Sequence, residues 1–349
     1  MQIQSGHRAL PLFFVIGRER SGTTLLKSCL DAHPHLCIPV EALITVNLFS
    51  KYYLNNKRFT KAQLESFIGD LFSLKQTRKL GIEENEIREW LYRFELPTFG
   101  EAIKSVYYLY NIKNGSKQLI MIGDKNPSHI LHINLLRKIF PEAKFIALVR
   151  DYHTQIKSIR GVSLETKNIA SLACRWKFAN SRILALKRKN PELVHIIRFE
   201  ELICQKREEL YQICNFLGIE FSEEMISGRL NRLGLFNNYT QKIHQSTLGK
   251  IDPDKTKIYP IDFSLNELKT MEAIAGDVGI RFGYAKQIEI SNIEKTIVKI
   301  RTLLSQIYGI SYLLSAQIIV YYPFKIRLIL QRMVEYLFKN RHTKSEQKS

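Results

Sequence analysis

The chain has 349 residues, 45% hydrophobic and 24% charged, with a formal net charge of +19. These proportions belong to an ordinary globular protein and exclude wholesale disorder; the length fits one large α/β domain with an appendage, or two domains. The positive excess calls for an anionic partner, whether a polyphosphorylated cofactor, an acidic substrate, nucleic acid or a membrane surface, and otherwise reads as a lysine-rich solvated face.

The first element is the apolar run "ALPLFFVIG". It is short and meets a glycine turn without a small-residue cleavage site, so it reads as a buried parallel strand rather than a signal-peptide core. The turn continues as "GRERSGTTLL", with Gly17 and Gly22 separated by four residues and leucines then recurring at helical spacing. Strand, glycine turn and helix start together form the context of a phosphate-binding loop. The nucleotide-triphosphate version has a lysine before its Ser/Thr. Here Thr23 stands in that place, and Arg18 and Arg20 lie inside the loop.

"LCIPVEALI" predicts a short strand leading into a loop or helix start, and residues 44–110 predict a helical insertion over the sheet, with polar breaks at Asn55–Asn56 and at Leu96–Pro97. "KQLIMIGDKNP" is the next strand, "LHINLLRKIFPEA" an amphipathic helix stopped by Pro141, and "KFIALVRD" a third apolar strand followed by the helix "YHTQIKSIRG". "LVHIIRFEEL" gives a fourth, and "REELYQICNFLGI" a helix closed by Gly218. Strands alternating with helices predict an α/β fold: a P-loop-type parallel sheet flanked by helices, with a helical insertion and a C-terminal helical extension.

The expected division is an α/β domain over residues 1–286 and a basic amphipathic extension over 287–349. From Thr302 to Phe324 the extension carries no charge, which raises the question of a membrane span; Ser305, Gln306, Ser311, Ser315, Gln317 and Pro323 weigh against one. "KIRLILQRMVEYLFKNR" then sets Lys325, Arg332, Glu335 and Lys339 opposite Ile326, Leu330, Met333 and Leu337. That pattern predicts a helix packed on the domain or resting peripherally on a membrane surface. The five cysteines form no C-x-x-C pair, which points to a reduced, cytoplasmic compartment with neither a disulfide framework nor a metal site.

Arg150 ends the third apolar strand, where ligands bind in open α/β sheets, and Ser158 follows about two helical turns later. "GRERSGTTLL", then "HP" and a glutamate, "GDKNP" and "FPEAKFIALVRD" with its serine, taken in this order, resemble the sulfotransferases that use 3′-phosphoadenosine 5′-phosphosulfate (PAPS). The form is nearest to the bacterial and tyrosylprotein-type branch. "RW" at Arg175–Trp176, "IRFEELI", "ICNFLGI" and "HQSTLGKIDPDK" agree, so the resemblance spans roughly residues 11–284.

The resemblance implies a donor with no γ-phosphate and no need of magnesium, so the missing lysine is not a defect. Its 5′-phosphosulfate would lie on the N–H groups of Ser21, Gly22, Thr23 and Thr24, held by Arg20. Arg150 and Ser158 would clamp the 3′-phosphate, and Ser246 and Lys250 would belong to a loop closing over the nucleotide. Glu41 would take the acceptor proton, with His33 and His35 as rival bases, and Lys125 would stabilise the leaving phosphate. The acceptor is a hydroxyl-bearing molecule: carbohydrate or glycolipid is the expectation, with tyrosine as another candidate. Two readings compete. One is a P-loop kinase or NTPase with Asp124 on magnesium, which Thr23 disfavours. The other is a non-enzymatic basic protein binding membrane or nucleic acid, although the chain carries no nucleic-acid-binding signature.

Overall fold

The structure is a computed structural model that describes residues 5–53, 55–115, 117–162, 166–227 and 263–330. Ser246, Lys250 and the segment beyond residue 330 lie outside the described residues. Strand β1 (Leu12–Ile16) leads into helix α1 (Thr23–Ala32), and the short β2 (Leu36–Cys37) into α2 (Ile44–Tyr52). The insertion continues with α3 (Lys61–Ser73), a 3₁₀ segment (Lys75–Leu80), α4 (Glu84–Tyr92) and α5 (Phe99–Lys113), ending three residues beyond the expected boundary. Then come β3 (Met121–Lys125), α6 (Ile133–Ile139), β4 (Lys144–Val149), α7 (Tyr152–Arg160), the long α8 (Ile169–Lys189), β5 (Val194–Arg198), α9 (Phe199–Cys204) and α10 (Lys206–Leu217). After residue 262 come α11 (Leu265–Met271), which runs through a π turn (Glu272–Gly276), then α12 (Asn292–Arg301) and α13 (Leu303–Ile318).

The strands form one sheet in the order β2-β3-β1-β4-β5, and every described pair is parallel. A parallel sheet covered on both faces needs continuous apolar strands, and β1 and β4 supply them. Alternate side chains serve the two faces. Phe14 and Ile16 join the core beneath the helical insertion and α8, whereas Phe13 and Val15 pack with Leu25 and Leu26 of α1 and Leu210 and Ile213 of α10.

Local chemistry sets the element ends. Thr60 with Gln63, Thr98 with Glu101 and Ser291 with Glu294 form reciprocal capping boxes at the starts of α3, α5 and α12. The predicted break at Asn55–Asn56 is a left-handed turn, with φ of 50° and 61°, a conformation that asparagine tolerates. Gly218 closes α10 at φ 78°.

The C-terminal helices pack on the domain. Leu313, Val320 and Phe324 are buried, the Arg175 guanidinium lies 3.8 Å from the Tyr312 ring centroid, and Asn168 donates to Ser305 Oγ at 3.1 Å. Helix α13 with its following turn (Leu303–Tyr321) is long and apolar enough to cross a membrane by length and composition. One of its faces packs against α8, where a Cβ on Gly309 would meet Ser171 O.

Candidate active site

The strand, glycine turn and helix start have the predicted arrangement. Gly22 adopts φ 93°, and a Cβ there would fall 2.3 Å from the Phe199 ring, so only glycine fits. No side chain caps α1, its first turn contains no acid, and its first intrahelical bond is Leu26 N–H to Gly22 O at 3.1 Å. The N–H groups of Gly22, Thr23 and Thr24 therefore precede the helix ladder, the arrangement that receives an anion. Ser21 departs from the expectation: its N–H already closes a turn onto Arg18 O at 3.2 Å, so its backbone serves the loop's shape. Arg20, at φ 66°, holds a strained left-handed conformation at the loop's tip.

Parallel pairing of β1 with β3 sets Val15 opposite Lys125, which ends its strand beside the loop. Lys125 is 1% exposed; its Nζ donates to Thr24 Oγ1 at 3.1 Å and pairs with Glu41 Oε1. The neighbouring strand thus supplies the cation that Thr23 leaves out of the loop. The Glu41 side chain remains 36% exposed and so is open to solvent.

On the other side of the loop, Arg20 Nε donates to Ser158 Oγ at 3.0 Å, and Arg150 Nη1 donates to Arg20 O at 3.0 Å. Arg150 also bonds Thr154 Oγ1 at 3.2 Å and lies 4.5 Å from the Phe199 ring centroid, while its carbonyl accepts from Trp176 Nε1 at 2.9 Å. Burial weakens proton binding by Arg20. Burial does the same to Arg150; Glu200 opposes it and Arg20 adds to it. Both guanidiniums stay cationic, and an anion between them would relieve the desolvation and their mutual repulsion.

Neither rival base shares this cluster. His33 Nε2 bonds Glu220 O at 2.9 Å and its Nδ1 accepts from His35 N–H at 3.1 Å, while His35 Nδ1 bonds Gln118 O at 2.9 Å. With one nitrogen donating and the other accepting, His33 is locked as a neutral tautomer, and burial also lowers its pKa. Asp124, the expected magnesium ligand of the kinase alternative, is buried. Tyr107 Oη donates to its Oδ2 at 2.7 Å, and His129 Nε2 lies 3.0 Å from the same oxygen. Among the described residues no group of three or more His, Cys, Asp or Glu could hold a metal ion.

Sequence reasoning missed the supports of these groups. Glu200 accepts from Asp151 N–H at 3.2 Å and from Tyr284 Oη at 2.9 Å, closing a bracket behind Arg150, and Gln155 donates to Glu19 O at 2.7 Å. Phe199 and Glu200 lie in the "IRFEELI" stretch, so their segment was legible and their task was not.

A family model described as "Sulfotransferase family" matches residues 11–223, more than half of the chain. The chain is 23% identical over 225 residues to protein-tyrosine sulfotransferase 1 of Danio rerio, covering 63% of this chain and 56% of that protein. It is also 23% identical over 228 residues to protein-tyrosine sulfotransferase 2 of Gallus gallus, covering 63% and 54%. It therefore spans little more than half the length of these relatives. Among solved structures, the sulfotransferase domain of the Synechococcus olefin synthase is 22% identical, with 79% of this chain and 95% of that chain covered and a TM-score of 0.48. The chain belongs to the sulfotransferase family, and it is an enzyme of that class.

Proposed function

We propose that this sulfotransferase moves a sulfuryl group from PAPS to an acceptor hydroxyl through the cluster of Glu41, Lys125 and the Gly17–Thr24 loop. The observation that carries the reading is the pairing of an uncapped helix N-terminus with two separate cationic poles. Lys125 stands on one side of the loop, Arg150 and Ser158 on the other, and Arg20 of the loop itself reaches toward the second pair. A donor with a single phosphate cluster would engage one pole; PAPS, with its 3′-phosphate set apart from the 5′-phosphosulfate, matches both.

When bound, PAPS supplies the sulfuryl group and a phosphate leaving group. Sulfuryl transfer should follow the physics of phosphoryl transfer, in which positioning and charge stabilisation outweigh covalent chemistry. In this reading the α1 N-terminus and Arg20 hold the 5′-phosphosulfate. Glu41 would accept the proton of the acceptor hydroxyl. Lys125, now paired with Glu41, would stabilise the charge that develops on the leaving phosphate. Arg150 and Ser158 hold the 3′-phosphate, and the Glu200–Tyr284 bracket keeps Arg150 in place.

The likeness to protein-tyrosine sulfotransferases makes a peptide tyrosine the first acceptor to assay, against carbohydrate and glycolipid hydroxyls. Calorimetry tests the donor. The protein should bind 3′-phosphoadenosine 5′-phosphate (PAP) more tightly than 5′-AMP by about 2–4 kcal/mol, the worth of a charged contact left without its partner. Arg150→Ala should erase most of that difference. Equal affinity of the native protein for the two nucleotides would refute the assignment.

A further inference from the structure

Helices α12 and α13 carry an apolar stripe that the donor site does not use. Ile293, Ile297 and Ile300 share one face of α12, and Leu304 and Ile307 share one face of α13. They are 74%, 57%, 69%, 82% and 53% exposed. Ile318 continues the face at 53%. An uncovered run of this length exceeds the scattered apolar residues of an ordinary soluble surface.

The opposite face is bound to the body. A Cβ on Gly309 would lie 2.8 Å from Ser171 O, so the helices touch backbone to backbone there. Arg327, only 4% exposed, donates to Asn47 O and, at 3.1 Å, to Ser50 Oγ. Crossing a bilayer would strip this face of its packing. The helix instead presents one side outward along its length.

Charge selects what covers that side. No Asp, Glu, Lys or Arg occurs from Thr302 to Phe324, and Tyr308, Tyr321 and Tyr322 are between 49% and 60% exposed. Tyrosine suits the headgroup level, with its ring in the apolar zone and its hydroxyl in water. At the start of the stripe Lys177, Lys295 and Lys299 surround a single acid, Asp277, and Lys325 follows its end. Two other acids nearby are themselves paired with lysines, Glu294 with Lys269 at 2.8 Å and Glu289 with Lys286 at 3.2 Å. Burial, then Lys177 and Lys295, hold Lys299 below the usual lysine range, a repulsion that an anion would relieve. A second copy of the chain would bring +19 against +19. It would also find no charges along the α13 stripe to set a register.

We propose that this face docks in the plane of an anionic bilayer, with α13 parallel to the surface, its isoleucines and leucines in the acyl boundary and its lysines among the headgroups. The proposal stands apart from the donor assignment.

The test is co-sedimentation of the full chain with phosphatidylcholine vesicles, with and without phosphatidylserine. Binding should be at least ~10-fold tighter with phosphatidylserine and should weaken as salt is raised. Leu304→Glu/Ile307→Glu should lose at least ~10-fold of that affinity, because a carboxylate is costly at this depth. Its transfer activity on a soluble acceptor should not change. Leu304→Trp, at a site open enough not to disturb folding, should show a blue-shifted emission when phosphatidylserine vesicles are added. Undiminished binding by the double variant, or an unshifted tryptophan, would overturn the proposal, since the basic body would then make the contact. It would also be overturned by a wild-type dimer that Leu304→Glu dissociates while vesicles stay unbound.

Discussion

Lys125→Met separates the catalytic worth of a buried cation from its structural worth. The substitution keeps the stem of a side chain that is 1% exposed and removes the charge that bonds Thr24 Oγ1 and Glu41. Deleting one member of a buried ion pair is severe when it strands the other in a dry site. Here the partner Glu41 is 36% exposed and can be hydrated in place. The protein also no longer has to desolvate an ammonium. These terms oppose each other, and stability should move by no more than about 2 kcal/mol. Catalysis has no such compensation under the proposed role, in which the Lys125 charge would face the oxygen that leaves with the phosphate. Removing one such preorganised group costs about 2.7–4 kcal/mol, or about 10²–10³ in turnover. PAP affinity should change by less than ~10-fold, since the interaction is strongest in the transition state. Thermal unfolding, PAP calorimetry and steady-state transfer from PAPS measure the three quantities. A folded Lys125→Met enzyme with turnover within ~3-fold of the native one would refute the role of Lys125, because so small a change is under 1 kcal/mol of barrier.

Glu41→Gln keeps the shape and removes the proton acceptor. Turnover should fall about 10²–10⁴-fold with PAP binding little altered, and the acid limb of the pH–rate profile should vanish or shift; near-native turnover would rule Glu41 out as the base. His153 gives a pH-dependent stability. Burial pushes its imidazole down, but carboxylates on both ring nitrogens, Asp151 at 3.3 Å and Glu272 at 3.0 Å, outweigh burial and raise it from 6.5 to about 9. The folded state therefore holds the proton more tightly than the unfolded one. The stabilisation should be complete below about pH 6.5 and should be lost as pH rises through about 9. His153→Gln should be less stable than the native protein at pH 6, with the gap closing by pH 10; a constant gap across that range would refute the charged imidazole.

The local elements were legible in the sequence. The apolar runs ending at Gly17, Lys125 and Arg150 became β1, β3 and β4 because a strand buried on both faces has to be apolar throughout. Gly22 betrayed the turn, since its left-handed backbone against the Phe199 ring admits no side chain. Candidate residues for the site could also be named, because the order of the motifs is itself sequence.

What pairs with what was decided only by the fold. Lys125 meets Thr24 across 101 positions, and Arg20 meets Ser158 across 138. Both meetings depend on a strand order in which β1 lies between β3 and β4. Tertiary packing also enclosed Asp124 between Tyr107 and His129, fixed His33 as a neutral donor, and chose which face of α13 the body covers. The physical reason is one of range. Periodicity and turn chemistry act over a few residues and dictate which side of an element is apolar. The partner that covers it is chosen by contacts between elements far apart in the chain, and no local pattern encodes that choice.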